Sequence, residues 1–137
     1  MYYYALIDKE GDDFVVSFPQ FEHINTYGRT EEEAIKNAEE ALNGSIESDF
    51  ERGFEIEEPH EYEGKNFHKI FIYPHIEIAL RLRKMRDQKS QIELAKELGI
   101  SYQAYQRLEN PRRCNPTVKT LEKIAKAFNK ELEIVIK

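Results

Sequence analysis

Tyr102, Gln103, Gln106 and Arg107 are side chains of the kind that read nucleic-acid bases. Their spacing puts all four on one face of a helix, while Ala104, Tyr105 and Leu108 take the opposite, inward face. Glutamine can bond bidentately to adenine and arginine to guanine, so this face can select a base sequence in a major groove. Gln91, Arg112, Arg113 and Lys119 fall at the start of the preceding helix, in the following loop and at the next helix start. Those places meet phosphates, which set affinity and its salt dependence while base contacts set selection. Lys84, Arg86 and Lys89 read equally well as phosphate contacts or as a solvated basic face.

Other chemistry is weakly represented. Asp8, Glu10, Asp12 and Asp13 could be imagined as metal ligands, but they crowd one short hairpin, and a solvated turn accounts for them better. His23, His60, His68 and His75 lack metal-site spacing and cysteine partners. Cys114 beside Arg112 and Arg113 could carry a lowered pKa and react, but an incidental loop residue is the better reading. No Ser/His/Asp arrangement and no Gly-rich phosphate loop is present. The expectation is a chain without enzyme activity, metal or cofactor.

The reading helix needs a scaffold, and Ser90 to Asn110 spells one. Ser90 and Glu93 form a capping box. Leu94, Ala95 and Leu98 follow at helical spacing, and Gly99 stops the helix where a left-handed turn costs least. Ile100 plugs the corner and Ser101 caps the next helix. A helix, a glycine corner and a second helix with a polar face make a helix-turn-helix; the plain alternative is an αα-hairpin in a bundle. The stretch resembles the XRE family of phage-repressor-type helix-turn-helix domains. The resemblance rests on Ser90-Gln91, Glu93-Leu94-Ala95, Leu98-Gly99-Ile100-Ser101, Arg107-Leu108-Glu109-Asn110, Asn115-Pro116-Thr117 and Thr120 to Ala125. It covers roughly Leu82 to Phe128. Lys89, Tyr105 and Pro111 depart from the family pattern.

Charge divides the chain. Residues 1–74 carry 6 Lys/Arg against 18 Asp/Glu, a net of -12, and residues 75–137 carry 14 against 8, a net of +6. An acidic half joined to a basic half implies two kinds of partner. One cysteine in 137 residues excludes an intrachain disulfide. With no signal-peptide pattern and no stretch of membrane-spanning length, a cytoplasmic protein without membrane association is expected.

Tyr2 to Ile7, Phe14 to Phe18 and His23 to Tyr27 read as strands of a meander, with Phe14, Val16 and Phe18 on one face. Thr30 and Glu33 open a helix whose stripe is Ala34, Ala38, Ala41, Leu42, Ile46 and Phe50, with Gly53 as its stop. The glutamate-rich segment 55–66 reads as a solvated loop, and Lys69 to Tyr73 as a fourth strand. Pro74 marks a boundary, after which Ile76 to Asp87 is a basic amphipathic helix. A last helix capped by Thr117 turns Val118, Leu121, Ile124, Ala125 and Phe128 inward. Glu131 to Ile136 alternates strictly, predicting a terminal β-strand. Its Leu132, Ile134 and Ile136 would pair with a second subunit, since a lone strand cannot satisfy itself.

The fold class predicted is therefore α+β: a β-β-β-α-β domain over 1–74, then an all-α helix-turn-helix domain with a terminal strand over 75–137. The first domain, ahead of an XRE-type domain, looks like the HicB antitoxin family. The residues carrying that likeness are the Tyr-rich first strand, Gly11 to Pro19, Gly28 to Ala34 and Ala38 to Leu42; His23-Ile24-Asn25-Thr26 departs from it. The resemblance implies a partial RNase H-like fold that neutralises a HicA-type toxin, a small basic mRNA ribonuclease. It also implies repression of the toxin–antitoxin operon through operator double-stranded DNA. Phe14, Phe18 and the glutamates of the helix capped by Thr30 are guesses for the toxin contact, and a homodimer or higher oligomer is expected. The rival readings are a repressor whose first domain senses a small molecule and, more distantly, a metal-dependent nuclease.

Overall fold

Alternation from Tyr2 makes a first strand with one dry face, and the computed structural model, which describes residues 1–137, builds outward from it. Strands β1 (Tyr2–Glu10), β2 (Asp13–Phe18) and β3 (Phe21–Gly28) form an antiparallel meander. Gly11 sits at φ +61° in the two-residue turn between β1 and β2, a left-handed position suited to a tight hairpin. Helix α1 (Glu31–Glu51) follows, and β4 (Phe67–Phe71) returns antiparallel beside β1, giving the sheet order β3-β2-β1-β4. β3 begins two residues before the predicted start because Phe21 pairs with Phe18 across the turn. β4 also lies two residues earlier than predicted, because Phe67 pairs with Leu6.

One face of the sheet is dry. Tyr3, Ala5, Ile7, Val16, Phe18, Ile24 and Ile70 are buried there, against Ala34, Ala38, Leu42, Ile46 and Phe50 of α1. Small residues at the start of that stripe let the helix lie close. Gly28 shows how close: a Cβ there would stand 2.3 Å from the Ala34 backbone nitrogen. Thr30 caps the helix, its Oγ1 accepting from the Glu33 N–H at 3.1 Å, and Gly53 at φ +80° ends it. Asn43 lies buried within the apolar stripe with its hydrogen bonds made. Its Nδ2 donates to the Glu39 and Phe71 carbonyls at 2.9 and 3.0 Å, and its Oδ1 accepts from the Tyr73 N–H at 2.8 Å. A buried amide so paired fixes the helix against the chain leaving β4.

One expectation for this half is corrected, that for Phe18. Phe18 is 2% exposed and belongs to the core, and Phe14 is half-buried with Lys9 Nζ 5.9 Å from its ring centre. Phe18 is therefore not a free contact surface, because β2 turns its ring toward α1. The segment 55–66 has no regular structure and is mostly exposed, as expected of a solvated loop, and hydrogen bonds tie it to the rest of the unit. The Tyr3 hydroxyl donates to the Glu57 carbonyl at 2.6 Å, and Gln20 Nε2 donates to Glu57 Oε1 and the Glu58 carbonyl. Tyr62 stacks on Phe67 with ring centres 5.3 Å apart.

Met1–Pro74 and His75–Lys137 are two compact units. Helix α2 (Pro74–Arg86) starts on the last residue of the first unit, and the second unit contains the rest of it with α3 (Gln91–Leu98), α4 (Tyr102–Leu108) and α5 (Val118–Ala127). Proline suits a first helical position, where its missing N–H is no loss. Leu82, Leu94, Ala95, Leu98, Tyr105, Leu108 and Ile124 form the core, with Met85, Ile100 and Phe128 packed against it. Val118 is 54% exposed rather than inward, since the opening turn of α5 projects beyond the core that Ile124 and Ala125 enter. Residues 131–137 are exposed and form no strand. The predicted terminal β-strand is absent from the single chain because a strand exists only through a ladder, and nothing pairs with this one.

Candidate nucleic-acid interface

Three side-chain caps set the helices that frame the interface. Ser90, Ser101 and Thr117 stand in extended backbone, and each hydroxyl accepts from the N–H three residues on, at 3.0, 3.0 and 3.1 Å. Between the first two, Gly99 turns left-handed at φ +68°, its N–H bonding the Lys96 carbonyl at 3.1 Å and that of Ile100 bonding Ala95 at 3.0 Å. This corner aims α4 so that Tyr105 and Leu108 are buried while Tyr102, Gln103, Gln106 and Arg107 are exposed together on the other side. Gln106 Nε2 donates to Tyr102 Oη at 3.0 Å, so the two side chains, one turn apart, orient each other.

The α4–α5 loop is compact. Its Arg113 and Cys114 N–H groups donate to the Asn110 carbonyl at 3.0 and 2.8 Å, the Arg112 N–H donates to Asn110 Oδ1 at 3.0 Å, and Pro111 is fully buried. That turn leaves the Arg112 and Arg113 side chains exposed, and Lys119 is exposed in the first turn of α5. Cys114 faces the opposite way. Burial pushes its thiol up to about 11, so it is protonated at neutral pH and not the reactive, depressed thiol that flanking arginines could have produced.

A charged pair beneath the interface went unread in the sequence. Glu109, immediately after α4, is buried, and Arg86 at the end of α2 meets it with two parallel bonds: Nε to Oε2 at 2.7 Å and Nη2 to Oε1 at 3.0 Å. Arg86 Nη1 also donates to the Lys89 carbonyl at 2.8 Å. The Glu109 carboxylate holds the guanidinium above its already high pKa. The Tyr105 hydroxyl lies buried without a well-formed hydrogen bond, and burial, with Glu109 close by, pushes that phenol up. Arg86 is thus not part of a solvated or phosphate-facing surface; it turns inward and ties α2 to the end of α4. Lys89 pairs with Glu97 at 3.2 Å. Gln91 is half-buried, its Nε2 donating to Glu109 Oε1 at 3.4 Å, so its amide is shared with this pair. A hint was available: Glu109 directly follows Leu108 at the end of the inward stripe.

No three His, Cys, Asp or Glu side chains converge as metal ligands would, and no helix is long and apolar enough to cross a membrane.

Comparison with known proteins follows the same division. Plasmid copy control protein CopR of Streptococcus agalactiae is 41% identical over 61 residues, which are 43% of this chain and 65% of CopR. The chain therefore spans just under two thirds of that relative's length. Residues 82–135 match a helix-turn-helix family, and residues 3–70 match the HicB-like antitoxin of bacterial toxin–antitoxin systems. Neither is a family of enzymes. The chain thus carries a region that matches HicB-like antitoxins, residues 3–70, followed by a region that matches helix-turn-helix domains, residues 82–135.

Proposed function

We propose that the chain neutralises a HicA-type mRNA ribonuclease with residues 1–74 and represses its own operon with residues 75–137, acting in the cytoplasm. The observation that carries this reading is the union, in one chain, of an antitoxin-type unit of net charge -12 with a helix-turn-helix unit of net charge +6. A basic, RNA-binding toxin is attracted to the first and a polyanionic duplex to the second. The likeness of the chain to a copy control protein supports a regulatory role. In the complex α4 enters the major groove, with Tyr102, Gln103, Gln106 and Arg107 on base edges. Arg112, Arg113 and Lys119 take phosphates, with Gln91 at the start of the crossing helix.

Arg107→Ala tests the groove assignment. It should reduce discrimination between operator and random duplex by about 1–3 kcal/mol, read by competition binding at fixed salt. Equal losses on both duplexes would make Arg107 a phosphate contact.

The chain also works as a dimer or higher oligomer, because Leu132, Ile134 and Ile136 are exposed and apolar at alternate positions. Pairing with a second copy would supply the ladder that the single chain lacks. Deleting residues 131–137 should then lower the sedimenting mass at micromolar concentration and reduce cooperative half-site binding. A truncated protein that sediments like the full chain removes this role.

A further inference from the structure

We propose that the face of the sheet turned away from α1 is where the first unit docks a protein partner with a cationic surface. This rests on the antitoxin reading above and gives its binding site a place, opposite to the core face that holds Phe18. Strand alternation sends the even-numbered residues of β1 and the odd-numbered residues of β2 and β4 to this outer face, along with Asn25 and Tyr27 of β3.

Two features coincide there. The first is aromatic surface. Tyr2 meets Tyr4 and Phe71 edge-on, each with ring centres 5.5 Å apart. Phe71, on one edge strand, is 52% exposed, and Tyr27, on the other, is 58% exposed. The second is fixed negative charge. Glu61 accepts from the Tyr2 and Tyr4 hydroxyls at 2.9 and 2.8 Å. Those bonds hold its carboxyl below the usual range. Asp8 accepts from Asn66 Nδ2 at 2.8 Å, and Glu10 pairs with Asp13 across the hairpin end of the same face. The face already holds one ammonium group over a ring, Lys69 Nζ lying 4.7 Å from the centre of Tyr2. Rings beside carboxylates that are already oriented suit arginine and lysine side chains, which can stack on the one and pair with the other.

The competing surface is the outer side of α1. It is more acidic, with eight Asp/Glu to one lysine between Glu31 and Glu51, but its only aromatic residue, Phe50, is buried. Long-range charge accelerates encounter, whereas residence time comes from desolvated aromatic anchors. The helix therefore steers the partner and the sheet face retains it.

The test is the binding kinetics of the full-length chain with the HicA-type protein encoded beside it. Tyr27→Asp/Phe71→Asp should weaken the affinity by about a hundredfold, through faster dissociation, with operator binding unchanged. Tyr27→Ser/Phe71→Ser should do so in the same way and serves if the aspartates disturb the sheet. Glu32→Lys/Glu40→Lys on α1 should slow association and flatten its salt dependence, leaving dissociation as it was. If both aromatic pairs bind like wild type while the helix variant loses binding, the partner sits on α1 and only the face assignment falls. If the wild-type chain does not bind at all, the antitoxin reading falls with it.

Discussion

Glu109→Ala is expected to destabilise the second unit by about 3–5 kcal/mol, the usual consequence of stripping one partner from a buried, hydrogen-bonded ion pair. The Arg86 guanidinium would be left in a largely buried site without the two bonds that now satisfy it. A unit of this size has little stability to spare, since whole domains are held by only about 5–15 kcal/mol. Hydrogen exchange should therefore quicken across α2 to α5 while the amides of β1 to β4 keep their protection. Operator binding should fall at temperatures where the wild-type protein is fully folded. The loss should be largely repaired by Arg86→Met/Glu109→Leu, because removing both charges leaves nothing unpaired. An unchanged melt for Glu109→Ala would mean that the pair only decorates the junction of α2 and α4.

Gly28→Ala should have an effect of similar size in the other unit, about 3 kcal/mol, at the upper end of what overpacking usually costs. The added methyl would meet the backbone of Ala34 and Glu33, at 2.3 Å from nitrogen and 2.8 Å from carbon. No flexible side chain is there to move aside, so the start of α1 must lift from β3. Expected results are a lower melting temperature for the first unit, loss of toxin binding, and operator binding that survives. Gly44→Ala is the control, because nothing lies within 4 Å of its Cβ position and alanine favours the helix by about 1 kcal/mol. Equal melting of the Gly28→Ala and wild-type proteins would show that the helix start has slack.

The order of elements was readable from local patterns. The Thr30, Ser90, Ser101 and Thr117 caps, the glycine corner at Gly99 and the α1 stripe each involve residues within a turn or two of one another. Local chemistry settles such features wherever the segment ends up. The exposed quartet on α4 was readable for the same reason, since helical period alone separates Tyr102, Gln103, Gln106 and Arg107 from Tyr105 and Leu108. Alternation likewise showed that each strand has two faces.

Tertiary structure decided what depends on residues far apart in the chain. Alternation cannot say which face of β2 meets a helix, so Phe18 looked like a contact until α1 took its side. Arg86 and Glu109 are 23 residues apart, and a charge that turns inward cannot be told from a solvated one without its partner. The strap over residues 55–66 is held by Tyr2, Tyr3 and Tyr4 of β1 and by Gln20 of the β2–β3 turn, all distant in the chain. Composition alone predicted a solvated, acidic loop and could not say what holds it. The tail at 131–137 makes the converse point. Its alternation is plain, but a strand is a relation between two segments, and one chain supplies only the first. Short-range sterics and capping are therefore written in neighbouring residues, whereas burial, pairing and the choice of face are fixed only when distant parts of the chain meet.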